Sequence, residues 1–289
     1  MSQEVPARRG VRDWAMAALS WEPGRDAVKT GVRYGAHARG KVLELTGHVP
    51  EIATIFLASS PKAGSQWTKA LFDHPIVHAH TKLFSMPQRD YQVVKPAKFP
   101  AGSIVPGLYV GYDHYLKIPK PLPYRTVYVF RDPRDLAVSA YYSALKTHRI
   151  IGDLAPIRET LQGMSFDEGL LYFTGLLDFR YKEMATWAGV VDPMVLFCKL
   201  EEIGADPRTH VAEILKHCGV ALSDAEFEQV LADVDRENLQ KKDLAARTDP
   251  SESHYRVKRE SFRDVFKPEH YALIEEMVPG LVEKLGYPA

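Results

Sequence analysis

The sequence predicts an α/β fold, a central parallel sheet flanked by helices, and three observations carry that expectation. Three short runs are continuously apolar and rich in β-branched or aromatic residues: IATIFLA at 52–58, TVYVF at 126–130 and MVLFC at 194–198. Such runs suit strands buried on both faces, as parallel strands are. Each is followed by helix-start chemistry rather than by a hairpin turn, which is the alternation of a sheet covered on both sides. Finally, 45% of the 289 residues are apolar, ample for one large core.

Taken in order, residues 1–50 form a helical N-terminal extension, with Trp14, Met16, Leu19 and Trp21 as apolar anchors. Residues 51–289 form a single α/β domain. The first strand spans 52–59, and a short helix follows over 66–73. Residues 86–107, carrying Pro87, Pro96, Pro100 and Pro106, lack periodicity and suggest a loop-rich excursion. Leu108-Tyr109-Val110 is a strand candidate, then Thr126–Phe130. Asp132-Pro133 supplies an N-cap and a proline at the first helical position, opening a helix to about Lys146. After the third buried run a helix is expected over 207–218. Ser223-Asp224-Ala225-Glu226 is a capping box that opens another. Residues 236–262 are charge-dense and suggest a mobile loop, and Pro268–Leu285 forms the last helix.

Composition removes several function classes. Lys plus Arg and Asp plus Glu both number 37, and the pI is near 7.2. A neutral chain lacks the broad basic field of a nucleic-acid binder, so any anion must be held by a local cluster. Cys198 and Cys218 have no metal-ligand spacing, and no His/Cys/Asp cluster suggests a metal. No apolar stretch approaches the ~18 residues of a membrane span. Arg8-Arg9 is followed by Asp13, Trp14 and Glu22, which gives no secretory signal. A cytoplasmic location is the expectation.

Two segments carry chemistry. The first, SSPKAGSQW at 59–67, is a strand-to-helix turn. There the unpaired N–H groups of the helix start, the positive end of its dipole and the Lys62 ammonium would form an anion cradle. Gly64 would admit close backbone approach and Ser65 would add a hydroxyl. An ordinary turn with a solvated lysine is the alternative. The pattern GxxxxGK[ST] is absent, which counts against ATP hydrolysis. The second segment is RDPRDLAVS at 131–139. Arg131 stands at the strand end, and the Ser139 hydroxyl lies roughly 9 Å along the helix from Pro133 at ~1.5 Å per residue. A long forked guanidinium and that hydroxyl can meet on one phosphate. Pairing of the arginine with Asp132 or Asp135, and of the serine with its own helix, is the alternative.

Together the segments resemble the sulfotransferase family that uses 3′-phosphoadenosine 5′-phosphosulfate (PAPS). SPKAGSQW is similar to its phosphosulfate loop, commonly YPKSGTTW, and YVFRDPRDLAVSAYYS to its 3′-phosphate segment, commonly RNPKDVAVSYY, with the Arg-to-Ser interval unchanged. The resemblance runs from about residue 52 to 287. It implies a P-loop-like phosphosulfate-binding strand-loop-helix, PAPS as co-substrate, and no metal. Lys62 would contact the 5′-phosphosulfate, with Ala63, Gly64, Ser65 and Gln66 in the loop. Trp67 would stack on adenine or serve as a core tryptophan. Arg131 and Ser139 would hold the 3′-phosphate. Residues 196–207, LFCKLEEIGADP, resemble the family's LFYEDMKEDP strand and turn, with Leu200 in place of tyrosine. Residues 255–266 resemble its basic closing loop, in which Arg256 and Lys258 would bind nucleotide, although the family's glycines and tryptophan are missing.

The family places a histidine just beyond a strand upstream of the arginine segment. His114, which follows the 108–110 strand candidate and precedes Arg131 by 17 residues, is the chosen general base; His78 and His80 are rivals. A neutral imidazole titrating near working pH suits that role. Tyr112 stands where the family has lysine, and Asp113 could orient the site. The implied partner is a small-molecule, lipid or sugar acceptor with a hydroxyl, walled by some of Tyr109, Tyr112, Tyr141, Tyr142, Tyr172 and Phe173 unless these are core. The family's dimer pattern KxxxTVxxxE is not found in 263–272. The alternatives to a transferase are a P-loop-like nucleotide-dependent kinase and a non-catalytic adenosine-bisphosphate binding protein.

Overall fold

The computed structural model describes residues 22–47, 51–87, 98–147, 154–245 and 260–289. Its elements run as helix α1 (Glu22–Thr46), strand β1 (Thr54–Ser59), helices α2 (Ser65–Phe72) and α3 (Pro75–Thr81), and strands β2 (Phe84–Ser85) and β3 (Ser103–Leu108). Next come α4 (Tyr112–Lys117), β4 (Tyr124–Phe130), α5 (Pro133–Tyr142), and a π-helical turn over Ser143–Thr147. Then α6 (Leu154–Gln162), α7 (Phe166–Gly175) and α8 (Asp178–Trp187) lead to β5 (Val195–Lys199). The chain closes with α9 (Leu200–Ala205), α10 (Pro207–His217), α11 (Asp224–Asp233), α12 (Arg236–Ala245), α13 (Phe262–Val265), α14 (Pro268–Met277) and α15 (Leu281–Lys284).

The sheet order is β2-β3-β1-β4-β5 with every pairing parallel, as the apolar runs predict. Strand alternation feeds two cores. Phe56, Ala58, Tyr128 and Phe130 join one cluster, in which Trp187 stacks on Tyr128 at 4.2 Å. Ile55, Leu57, Val127 and Val129 join the other. From β1 the chain leaves toward the β3 and β2 side, and from β4 it leaves toward β5. Adjacent strands whose connections part in opposite directions open a crevice at their C-terminal ends. The crevice therefore lies beyond Ser59 and Phe130.

Several expectations are corrected. The proline-dense 86–107 excursion contains most of β3, a central strand. Pro106 is tolerated there because the β1–β3 register shifts between Leu57 and Ala58, and Gly107 takes φ 67. A bulge is where a missing ladder donor costs least. The strand thus starts before Leu108 and ends at it. Residues 236–245 of the expected mobile loop are helical, with none of them buried, so no apolar stripe announced them. The last helix is two: Pro279 and the left-handed Gly280, φ 68, divide α14 from α15. Helices α6 to α8 escape the sequence pattern, although Ser165 and Glu168 form a capping box. Of the N-terminal anchors, Trp14, Met16, Leu19 and Trp21 lie outside the described residues. The extension is helical over Glu22–Thr46, held by Arg39 donating to the carbonyls of Gly102 at 2.9 Å and Lys82 at 2.8 Å.

Candidate active site

The loop after β1 is a tight turn in which the Ala63 N–H meets the Ser60 carbonyl at 3.1 Å. Lys62 sits at φ 70, a left-handed conformation that costs a non-glycine residue about 1 kcal/mol or more. Strain of that kind persists where surroundings over-determine it. Gly64 is the N-cap of α2 at φ 98, so no side chain caps the helix start. A helix opened in this way presents its first N–H groups to an anion. The glycine is needed for space as well. A Cβ there would lie 2.8 Å from Leu200 Cδ1 and 3.4 Å from Val129 Cγ1. The loop thus rests on the ends of β4 and β5.

The loop residues divide by where their side chains go. Ala63 is fully buried in the core, so only its backbone can face a ligand. Ser65 is 8% exposed, and its Oγ accepts a hydrogen bond from the Tyr109 hydroxyl at 2.8 Å. Gln66 is half-buried. Trp67 is half-buried against the second core, with its indole Nε1 donating to the Val234 carbonyl at 3.1 Å. That bond fixes the ring edge against the end of α11.

Arg131 follows directly after β4. The last β1–β4 pairing is Ser59 with Val129, so the chain segments bearing Lys62 and Arg131 issue from neighbouring strands at the same edge. The Arg131 side chain is 13% exposed, with Nε 3.9 Å from Glu201 Oε1. The alternative pairings with Asp132 and Asp135 are not what forms. Asp132 caps α5 through the Arg134 N–H and takes a bidentate pair from the Arg134 guanidinium, both side chains buried. Asp135 accepts the Phe262 N–H at 3.0 Å. Ser139, 8% exposed, lies on α5.

Arg256 and Lys258 lie outside the described residues. From Glu260 onward the chain is pinned to the arginine segment: the Phe262 ring lies 4.2 Å from the Arg134 guanidinium, and Tyr142 donates to Glu260. The C-terminus joins too, as Arg134 donates to the Pro288 carbonyl at 2.7 Å and the Tyr287 hydroxyl to Glu201 at 2.7 Å.

His114 is half-buried and lies within helix α4, not at a strand end. β3 stops six residues before it, at Leu108. Tyr112 does not substitute for a site lysine: its hydroxyl donates to Asp192 at 3.2 Å, and its ring packs on Trp187. Asp113 is exposed on α4 and His78 on α3, while His80 pairs with Glu226 at 3.1 Å. Among the acceptor-wall candidates, Tyr141 and Phe173 are core residues. Sequence reasoning missed Glu201 beside Arg131, Leu200 beneath Gly64, and the Tyr109–Ser65 bond; only their positions just past strand ends marked them. Among the described residues, no group of three or more His, Cys, Asp or Glu could hold a metal, and no helix is long and apolar enough to cross a membrane.

Comparisons with known proteins bear on the family and the fold. The model of the sulfotransferase domain family matches residues 114–285, a span that includes His114, Arg131 and Ser139 but begins after the Lys62 loop. A flavonol sulfotransferase-like protein of Flaveria bidentis is 24% identical over 192 residues, 61% of this chain and 60% of that protein. The match therefore spans about three-fifths of that relative's length. The crystal structure of mouse sulfotransferase SULT7A1 complexed with PAP is similar with a TM-score of 0.52 and 16% identity, over 78% of this chain and 82% of that one. Retinol dehydratase in complex with retinol and PAP has a TM-score of 0.52 and 18% identity, over 84% and 85%. At these identities the structures speak for the fold alone.

Proposed function

The chain belongs to the sulfotransferase domain family, and on that premise we propose that it moves a sulfuryl group from PAPS to a hydroxyl of a small-molecule, lipid or sugar acceptor. One observation carries the reading. The glycine-capped loop with Lys62 and the segment with Arg131 leave adjacent parallel strands at one edge, where the connections diverge. A nucleotide phosphorylated at both ends needs two anion sites that share one crevice, and the common origin of these two segments supports that reading.

In the proposed reaction the acceptor oxygen attacks sulfur in line with the bridging oxygen. A new S–O bond forms as the old one breaks, and its electron pair leaves on the 5′-phosphate of adenosine 3′,5′-bisphosphate (PAP). Lys62 and the N–H groups of the Ala63–Gln66 loop neutralise the charge that gathers on the leaving oxygens. Arg131 and Ser139 hold the 3′-phosphate, Trp67 borders the adenine, and Arg256 with Lys258 close over the nucleotide. His114 takes the acceptor proton. Glu201 Oε1, 3.9 Å from Arg131 Nε, lies beside the guanidinium at the strand end. The neutral overall charge leaves nucleic acid a poor partner.

Calorimetry with PAP and with ATP, followed by a sulfate-transfer assay with PAPS, tests the reading. The acceptor panel begins with hydrophobic alcohols, because retinol dehydratase, similar in fold, was crystallised with retinol and with androsterone, and extends to phenols and sugars. PAP binding in preference to ATP and transfer to some acceptor are expected. Lys62→Ala should lose at least about a hundredfold in kcat with the fold intact, as when a transition-state donor is removed. Near-normal turnover in that variant overturns the mechanism. His114→Ala should keep PAP affinity and lose turnover; an unchanged rate would move the base elsewhere.

A further inference from the structure

We infer that Tyr109 is a positioning residue for the activated end of the nucleotide, acting through the hydroxyl of Ser65. The inference rests on the sulfotransferase reading above and adds to it a residue that the family motifs do not contain. Tyr109 is the first residue past β3, a strand that adjoins β1. The bulge at Gly107 decides where it arrives. Ala58 faces Leu108 rather than Gly107, so the extra residue brings Tyr109 level with Ser59, the last residue of β1. From there its hydroxyl reaches across to the first residue of α2 and donates to Ser65 Oγ at 2.8 Å. Without the bulge the phenol would stand one residue further along, with its side chain on the opposite face of the strand.

The direction of that bond has a chemical consequence. A phenol is the stronger donor of the two hydroxyls, and a serine oxygen offers two lone pairs and a single proton. Once Ser65 accepts from Tyr109, its own proton remains to be given, and the accepted bond polarises it into a better donor. Ser65 opens a helix whose N-cap is a glycine, so its surroundings already favour negative charge. With 8% of its surface exposed, the serine has little freedom to choose another partner. Tyr109 thereby sets Ser65 as a donor toward the 5′-phosphate or its sulfuryl group, and it does nothing for the 3′-phosphate at the Arg131 end.

That asymmetry makes the inference testable with two probes, PAP and adenosine 3′-phosphate, which lacks the 5′-phosphate. Affinities are measured by calorimetry for the wild type, Tyr109→Phe, Ser65→Ala and the double variant. Tyr109→Phe and Ser65→Ala should each weaken PAP by roughly five- to twentyfold, the range of one hydrogen bond to a charged group. The double variant should be no weaker than Ser65→Ala alone. Adenosine 3′-phosphate should bind all four proteins equally. Under PAPS saturation the Tyr109→Phe rate should fall as well, because the donor strengthens as charge develops. Phenylalanine fills the same space, and an unchanged melting temperature will establish that the fold is intact. Unchanged PAP affinity in Tyr109→Phe, additive losses in the double variant, or an equal loss with adenosine 3′-phosphate overturns the role of Tyr109. A wild type that binds neither nucleotide overturns the sulfotransferase reading itself, a separate result.

Discussion

His217 illustrates how a single side chain ties the fold to pH. It ends α10, and its Nε2 bonds the Thr126 carbonyl near the start of β4 at 3.1 Å. Burial holds the ring below the ordinary 6.5, and the bond to Thr126 offsets this only in part. The unfolded chain therefore takes up the proton first. The stability that the neutral ring contributes is complete above pH 6.5 and is lost as pH falls from there toward the lowered folded value. Denaturant titrations from about pH 7 to about pH 5 should show the wild type losing stability more steeply than His217→Gln, whose amide can still donate to Thr126. Parallel curves would mean that the ring is not the titrating group. The same scale separates what could be read in the loop after β1 from what could not. Lys62 and Gly64 announce themselves by type, whereas the burial of the Ala63 methyl depends on a core assembled from distant segments.

At the scale of elements, the 25-residue helix α1 meets the body along one stretch, where Ala36 joins the first core. Its contacts with the body include Arg39 at two carbonyls and a close approach at Gly40, where a Cβ would stand 2.8 Å from Pro100 Cβ and 3.0 Å from the Ala101 carbonyl. Tyr34 and Leu45 on the same helix stay 76% and 85% exposed. Gly40→Leu should therefore separate α1 from the domain, because backbone and proline offer no yielding neighbour. Limited proteolysis should then cut within 22–46 at least about tenfold faster, while PAP affinity at the sheet edge stays as in the wild type. Slow cleavage would indicate that other contacts retain the helix. The charged helix α12 carries the complementary lesson. It has no buried residue, so hydrophobic periodicity could not reveal it.

Across the whole molecule, the buried Asp132–Arg134 pair is the junction of remote segments. Its guanidinium meets the Pro288 carbonyl and lies over the Phe262 ring, while the next carboxylate, Asp135, holds the Phe262 backbone. The last 28 residues are thus fastened to the helix that follows β4, close to the proposed 3′-phosphate site. Arg134→Met leaves the Asp132 carboxylate buried and unpaired, and should cost about 3–5 kcal/mol in denaturant unfolding. Asp132→Asn in the same chain should restore much of that loss. Absence of any recovery would place the effect in the Pro288 and Phe262 contacts instead. At the proposed nucleotide site, the single variant should also weaken PAP binding, since α5 and the returning C-terminal segment share this anchor.

Local chemistry determined much of this protein. Short continuous runs rich in β-branched and aromatic residues suit strands buried on both faces, a Lys-Ala-Gly-Ser turn after one of them gives a glycine-capped strand-to-helix loop, and Asp132-Pro133 supplies an N-cap and a first-turn proline for the helix that follows β4. Those features delivered the α/β class, β1, β4 and β5, and the family. Tertiary structure alone decided the rest. The bulge at Gly107 made a strand of a proline-bearing segment and aimed Tyr109 at Ser65. The switch in connection direction brought Lys62 and Arg131 to one edge, and the fold lodged His114 on a helix rather than at a strand end. Each of these depends on which strands become neighbours and in what register, and pairing between segments tens of residues apart leaves no trace in the local pattern of either one.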